Sequence, residues 1–403
     1  MIAAFGIAVI YSAVLLRIAT NAFGATGDFL PFYSAGYLVR TGQVNHLYDP
    51  ATLELVEREL YPGRFGEALG YTLPVFVAWS FAPATLLPFT ASFFLFMGVL
   101  VVLLAIIVYA FRRYLADVPQ LPRDTFLACA AFGMPTIASI VFGQVDLIVL
   151  SGLAGGYLLL QRNRPYAAGL ALCLMLVKPH MMLGVVPMLL LRREWRTLGT
   201  LFAVGVPLLA LPALLSAPGA LIDNVKILAS YPGADTELAV NASVMPNWRG
   251  FILSLTNSNS MLLWLPGHAL IAFGAIVAAF VCWRNARNLD KAYAIAATLP
   301  LVVSPHLHTQ SLVLLLLPGA ILLRAYFDAG VSAAREMRAV NALLCAYVAA
   351  FFLPVMAILG LSLGGFAVLA VYVALAARWP QPPSIVAAAI ETEAATDPLV
   401  RAA

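Results

Sequence analysis

Long apolar runs recur along the whole chain, and they restrict its possible folds more than any other feature. The first run, residues 2–23, is long enough to cross a bilayer, which needs about 20 mostly apolar residues. Only 10% of the 403 residues are charged, whereas soluble domains carry roughly 25%. The sequence therefore predicts an all-α polytopic membrane protein with about 10–13 transmembrane helices. The candidate spans are 2–23, 88–111, 125–142, 144–161, 165–178, 179–191, 197–216, 261–283, 291–304, 310–324, 340–359 and 364–379.

Some of the apolar runs are too short for a complete span. The runs on either side of Lys178 each fall below about 20 residues, so we interpret them as half-helices or a re-entrant pair. Residues 72–87 are also apolar, but Pro74 and Pro83 interrupt them. We expect this stretch to dip into the membrane without crossing it.

The distribution of basic residues predicts the orientation of the chain. Every second loop is rich in Lys and Arg, and such loops stay on the cytoplasmic side. The N-terminus is then inside, and Asp28 faces outward. We predict one membrane domain, 1–380, with long outward loops at 24–71 and 217–259 and a disordered cytoplasmic tail at 381–403. The basic residues of the cytoplasmic loops are Arg112, Arg113, Arg123, Arg162, Arg164, Arg192, Arg193, Arg196, Arg284, Arg287, Lys291, Arg324, Arg335, Arg338 and Arg378.

The first outward loop contains signals for two short helices. Residues 31–41 have a helical pattern that Gly42 ends. Asp49 followed by Pro50 is typical of a helix N-cap with proline at the first helical position. The second helix is amphipathic, which suits a helix lying on the membrane surface. Its apolar face holds Leu53, Val56 and Leu60, and its polar face holds Glu54, Glu57 and Arg58.

Asp28 is the first acidic residue that the chain places just past a membrane boundary. Aromatic residues flank it, including Phe29 and Tyr33, and such rings suit the interface between hydrocarbon and water. A partly desolvated carboxylate at this depth can accept a proton from a substrate. The alternative is that Asp28 only caps the helix that follows it.

Lys178 is a charge within an apolar stretch, where insertion costs on the order of 2.5–3.5 kcal/mol and indicates a functional role. It has no acidic neighbour in sequence. It could hold a phosphate group near the outer surface, or it could be a helix-end lysine that extends to the interface.

His306 and His308 stand two residues apart, on one side of an extended segment. They could donate to a phosphate, or one could act as an acid or base; alternatively, they are ordinary turn residues. Zinc is not indicated, because the sequence contains no further His or Cys cluster.

Three further polar residues have two interpretations each. Gln144 and Asp146 could bind a sugar, or they could form a polar turn that Gly143 permits. Arg249, next to Trp248, could pair with phosphate or lie solvated on its loop.

The sequence predicts no cofactor and no nucleic-acid partner. It has neither a Gly-rich Lys loop of the Walker type nor a GxGxxG motif, so a nucleotide energy source is not indicated. The segment Asp235-Thr236-Glu237 is an acid-x-acid pattern in an outward loop, and such a pair could hold a divalent metal.

Several short motifs follow one another in a fixed order along the chain. They are Gly27-Asp28-Phe29, Phe32-Tyr33, Leu47-Tyr48-Asp49-Pro50, Tyr71-Thr72-Leu73-Pro74, Gly143-Gln144, Lys178-Pro179 and Ser304-Pro305-His306. With this ordered set, the chain resembles glycosyltransferase family 87 over about residues 1–380. The resemblance implies a GT-C fold in a bacterial cytoplasmic membrane and inverting transfer of a sugar from a polyprenyl-phosphate donor to a lipid or glycan acceptor outside the cytoplasm.

The resemblance also implies roles for particular residues. Asp28 is the general base, because GT-C enzymes place an acidic residue in the first outward loop. His306, or less directly His308, matches a histidine near the family's active site. We expect Lys178, Arg249, Gln144 and Tyr33 to contact the donor phosphate or sugar. The donor sugar is a hexose such as mannose, which the family's best-known mycobacterial members transfer; mannose itself does not follow for this chain.

Two rival classes compete with this interpretation. A transporter or flippase of a lipid-linked molecule would share the many spans and the buried lysine, and it would place its polar groups near the membrane midplane in inverted repeats. Another lipid-linked enzyme, such as an acyl or phosphoethanolamine transferase, would need a nucleophile or a metal cluster, and neither is evident in the sequence.

Overall fold

The computed structural model describes residues 27–62, 70–230, 245–285, 288–328 and 364–377. Helices make up the regular structure of these ranges, and no strand occurs within them. The predicted spans 2–23 and 340–359 lie outside the described residues, as do the acidic pair Asp235 and Glu237 and the tail 381–403.

The α-helices of the described ranges are numbered in chain order, and five short 3-10 helices in the same ranges connect some of them. The α-helices are α1 (Phe29–Arg40), α2 (Pro50–Leu60), α3 (Val75–Phe81), α4 (Phe89–Tyr114), α5 (Gln120–Phe132), α6 (Met134–Val141), α7 (Asp146–Gln161), α8 (Pro165–Leu172), α9 (Val185–Leu191), α10 (Trp195–Ser216), α11 (Ala220–Ser230), α12 (Trp248–Thr256), α13 (Met261–Asn285), α14 (Leu289–Val303), α15 (Leu316–Asp328) and α16 (Gly364–Ala377). The 3-10 helices are Val44–His46, Ala82–Leu86, Cys173–Val177, Pro179–Leu183 and Thr309–Leu315.

Five helical segments in the described ranges are long and apolar enough to cross a membrane. In two of them, α4 and α13, only 28% and 17% of the most apolar 18-residue stretch is buried within the protein. Such apolar surface is stable in lipid and not in water. The chain is therefore a multi-pass membrane protein, while the total of 10–13 spans stays a prediction. The five segments are Phe89–Tyr114, Gln120–Val141, Trp195–Ser216, Met261–Asn285 and Thr309–Asp328.

The short runs around Lys178 form half-helices, as their length predicts. The α-helix α8 tightens into a 3-10 turn that ends at Val177, and a second 3-10 turn begins at Pro179. Lys178 lies in the break, with non-helical φ and ψ of −130° and 79°. The residue before a proline disfavours the α conformation, so Pro179 explains why the helix ends there.

The run 125–142, predicted as one span, lies in the apolar segment Gln120–Val141, which is long enough to cross a membrane and consists of two helices. Gly133 is extended, with ψ of 146°, and separates α5 from α6. Pro135 follows in the first turn of α6, where its missing N–H is tolerated. The predicted span is therefore confirmed as an apolar segment of membrane-crossing length, and the break at Gly133 is an additional feature.

The helix signals of the loop predicted at 24–71 are confirmed in its described residues. Gly42 ends the first helix with φ of +75°, and Asp49 caps α2 by accepting from the Ala51 amide at 3.3 Å. One detail is wrong: Glu57, predicted on the polar face, is fully buried beside Leu53. The helix α2 packs on α1 as well as presenting a polar surface.

The segment 217–259, predicted as a long outward loop, contains two helices in its described residues. It contains α11 and α12, separated by the residues 231–244 that the structure does not describe. Asn247 caps α12 by accepting from the Gly250 amide at 3.1 Å, and Asn257 ends it in the left-handed conformation. Both residues are typical helix-terminus signals.

Candidate active site

Asp28 occupies the N-cap position of α1 and is held against the turn between α6 and α7. The Phe29 amide donates to the carbonyl of Phe142 at 3.2 Å, which fixes this segment on that turn. The Asp28 side chain makes no capping hydrogen bond within α1. The interpretation of Asp28 as a simple cap therefore lacks the bond that defines a cap.

Gly143 permits the close contact between this turn and the Asp28 segment. Its φ is +65°, and a Cβ there would lie 2.7 Å from Cβ of Phe29. We expect Gly143→Ala to destabilise the fold by about 2–4 kcal/mol, since it combines a strained φ with a steric clash. Chemical unfolding of purified protein in detergent measures this effect.

Gly42→Ala is the matched control for that prediction. Gly42 also has a positive φ, but no atom lies within 4 Å of a Cβ built on it. It should lose only the strain, about 1 kcal/mol. Equal losses in the two variants would show that the Phe29 contact does not matter.

The Asp28 carboxyl faces polar groups from three other parts of the chain. Gln310 donates from Nε2 to Asp28 Oδ2 at 3.2 Å, and Gln144 makes a second side-chain hydrogen bond to it. Loss of surrounding water raises the pKa of Asp28 to about 6, although the Gln144 bond and the charge of Lys178 lower it and Asp146 raises it. A carboxyl with a pKa near neutrality is suited to general base catalysis.

This pKa predicts a pH dependence for any reaction in which Asp28 acts as a base. The active form is the carboxylate, so the rate should rise with pH through about 6 and level above it. Asp146→Asn should move this limb to lower pH, and Lys178→Met should move it to higher pH. Rates measured from pH 4.5 to 8 test this prediction. If neither variant shifts the pH at which the rate rises, the rise cannot be assigned to the ionisation of Asp28.

Lys178 is paired with Asp146, a contact that the sequence analysis did not predict. Lys178 Nζ lies 2.9 Å from both carboxylate oxygens of Asp146. Asp146 is fully buried, and Ser311 donates to it at 3.0 Å. Asp146 is therefore the counter-ion of Lys178. This role differs from both interpretations of Asp146 that the sequence offered, which were sugar binding and a polar turn. The pair fixes the position of the ammonium group close to Asp28.

The histidines His306 and His308 lie in the connection between α14 and the next 3-10 helix, with ring centroids 4.5 Å apart. Burial lowers the pKa of His308 to about 4 and that of His306 well below its usual value. Both rings are therefore neutral near pH 7 and can act as hydrogen-bond donors without carrying charge.

Burial is the main cause of the lowered pKa of His306, and neighbouring basic groups lower it further. In decreasing order of effect, these groups are His308, Arg249, His180 and Lys178, so they all lie close to His306. His180 was absent from the predicted site, although it follows Lys178-Pro179 directly. The structure therefore brings Asp28, Lys178 and His306 to one end of the helices.

Arg249 is fully buried, so its interpretation as a solvated loop residue is wrong. Its Nε donates to Asn259 at 2.6 Å, and its guanidinium lies 5.2 Å from the centre of the Trp264 ring. Asn247 links this segment to the histidines by donating to the carbonyls of Ser304 and Pro305 at 3.3 and 3.0 Å.

Gln144 and Tyr33 have different surroundings. Gln144 is buried and bonds Asp28, so it lies within the cluster. Tyr33 packs against Phe29 and Phe89, and its hydroxyl donates to the Leu87 carbonyl at 2.7 Å. Packing alone explains an aromatic residue at position 33, and its contact with a sugar stays a prediction.

A second polar network lies toward the opposite end of α7, where Tyr157 is about 16 Å from Asp146 along the helix. Tyr157 donates to Asp290 at 2.8 Å, and Arg324 donates to the Tyr114 carbonyl at 3.0 Å. The last turn of α4 adds Arg112 and Arg113 at this end. The basic loops and the candidate site are therefore at opposite ends of the helices.

Metal ligands are not grouped in the parts of the chain that the structure describes. No set of three or more His, Cys, Asp or Glu side chains there could hold an ion. Cys129, Cys173 and Cys282 are free thiols.

These features define a class: a multi-pass, all-helical membrane protein whose carboxylates and basic side chains meet at one end of the helices. The model of glycosyltransferase family 87 matches residues 71–305, and the chain belongs to this family. The matched range includes Gln144, Lys178 and Arg249, whereas Asp28 and His306 lie outside it. Neither a curated protein nor a solved structure matches the chain.

Proposed function

We propose that this glycosyltransferase moves a hexose, such as mannose, from a polyprenyl-phosphate donor to a lipid or glycan acceptor, with inversion and with Asp28 as the base. One observation supports this most: the Asp28 carboxyl, which accepts from Gln310, lies close to the Lys178 ammonium that Asp146 holds through both of its oxygens. A base and a cation for a leaving phosphate are the two groups that such a transfer requires.

The reaction is a single displacement. Asp28 takes the proton of an acceptor hydroxyl, and the hydroxyl oxygen attacks the anomeric carbon from the face opposite the lipid phosphate. The bond between that carbon and the phosphate oxygen breaks, and polyprenyl phosphate leaves with the electron pair. No nucleotide is needed, because the donor already carries its leaving group.

The basic residues stabilise the negative charge that develops on the phosphate. Lys178 is held by Asp146 through two oxygens, so its ammonium group is fixed before substrate binds, which is the condition for efficient electrostatic stabilisation. Arg249 supplies a second permanent charge. His306 and His308, neutral before binding, donate hydrogen bonds; a bound phosphate favours their protonation.

We propose a GT-C architecture in a bacterial cytoplasmic membrane, with the N-terminus inside and the site facing the periplasm. The alternation of basic loops supports this orientation, as does the separation of the two polar networks along α7. This separation also favours transfer over the transporter alternative, because transporters bind near the middle of the membrane.

Incubation of the purified protein with a panel of polyprenyl-phosphate sugars tests the proposal. We expect at least one donor to give free polyprenyl phosphate, and only when an acceptor is present. Transport of intact donor across proteoliposomes without any phosphate release would support the flippase alternative instead.

A further inference from the structure

An apolar groove runs between α13 and α16. The two helices touch through the Tyr372 hydroxyl, which donates to the Ala275 carbonyl, and through Cys282, whose Sγ lies 3.6 Å from the Ala376 carbonyl. Beside these contacts the described residues leave a groove of about 520 Å³, a volume typical of ligand pockets. Its walls include Ile271, Gly274, Ala278, Val281, Leu369 and Val373.

One end of this groove is polar. Ile271 and Leu369 also line a smaller cavity of about 30 Å³, whose wall includes Trp248 and His268. Within the described chain, Trp248 Nε1 and His268 Nδ1 have no hydrogen-bond partner. His268 Nε2 lies 3.0 Å from the Val303 carbonyl and so carries the proton, which leaves Nδ1 as an acceptor beside the indole donor.

The polar end adjoins the basic cluster of the candidate site. Asn247 lines the small cavity and bonds the carbonyls of Ser304 and Pro305, directly before His306. From His268 to Cys282 the groove follows α13 for about 21 Å. The outer face of this helix is open to lipid: Leu270 and Phe273 are 73% and 68% exposed.

We propose that this groove binds the isoprenoid chain of the polyprenyl-phosphate donor; the inference rests on the proposed function. A long apolar groove that adjoins a polar cavity, next to the segments that carry Arg249 and His306, matches a lipid with a phosphate at its end. The donor is favoured over a lipid acceptor, because its phosphate is attached directly to the chain. A chain in the groove therefore delivers the phosphate to the end where Arg249 and His306 lie.

Gly274→Leu tests the groove directly. A Cβ at Gly274 meets no atom within 4 Å, so leucine fits the fold while occupying the groove. Gly98→Leu is the matched control, since Gly98 is equally open but lies on the lipid-facing side of α4. Val373→Phe fills the groove from α16 and replaces Gly274→Leu if that variant does not fold.

The readout is thermal stabilisation of the full chain by sugar-free polyprenyl phosphate, with a long chain and with one truncated after its first isoprene units. We expect Gly274→Leu to raise the half-saturating concentration of the long chain about tenfold. The short chain, and both chains with Gly98→Leu, should be unaffected. An unchanged long-chain affinity, or an equal loss for both chain lengths, would overturn the inference.

Sugar-free lipid separates this test from that of the proposed function. A protein that binds the long chain in the groove but transfers no sugar from any donor contradicts the function and leaves the groove assignment intact. If Gly274→Leu transfers sugar at the same donor concentration as the wild type, the groove assignment alone is contradicted.

Discussion

Asp28→Asn should lower sugar transfer by about 10²–10⁴-fold, because general base catalysis contributes a factor of that size. Asparagine keeps the shape of the side chain and can still bond Gln310 and Gln144. The variant should therefore insert and bind polyprenyl phosphate as the wild type does. Single-turnover rates with bound donor measure the chemical step separately from binding.

Asp223→Asn is the control for this prediction. Asp223 is an exposed aspartate of α11, and its pair with Lys226 lies at the surface. Asp223→Asn should change the rate of sugar transfer less than twofold. Wild-type rates in Asp28→Asn would remove Asp28 from the role of base, whatever the control shows.

Lys178→Met should lower the free energy of unfolding by about 3–5 kcal/mol, because it leaves the buried Asp146 carboxylate without its counter-ion. Asp146→Asn should cost a similar amount by leaving Lys178 unpaired. The double variant Lys178→Met with Asp146→Asn should lose less than either single variant, since no uncompensated charge remains. A double-mutant cycle of chemical unfolding measures the coupling.

The exposed pair Lys226–Asp223 provides the comparison, with side chains that are 71% and 44% exposed. Lys226→Met should cost under about 1 kcal/mol.

Lys178→Ala should also raise the donor concentration needed for half-maximal transfer. Additive losses at Lys178 and Asp146, or an unchanged donor dependence, would contradict the role assigned to this pair.

Features set by neighbouring residues could be predicted from the sequence. Asp49 and Pro50 identified the start of α2, and Gly42 identified the end of α1, because caps act within a few residues. The length of the runs around Lys178 likewise predicted half-helices. Hydrophobicity alone did not reveal that Gly133 and Pro135 divide the run 125–142.

Contacts between distant parts of the chain could not be predicted in the same way. Lys178 and Asp146 are 32 residues apart, and Gln310 is 282 residues from Asp28. Neither spacing follows from a helical period, because each contact depends on how separate helices pack. The one available signal was that these residues all stand at breaks between apolar runs, where antiparallel spans bring alternate ends together.

The anomeric configuration of the product distinguishes a base from a nucleophile at Asp28. With a donor of known configuration, we expect the transferred sugar to have the opposite configuration, because the acceptor displaces the lipid phosphate in one step. A product that retains the donor configuration would indicate a covalent glycosyl-enzyme intermediate, and Asp28 would then not act as a base in a single displacement.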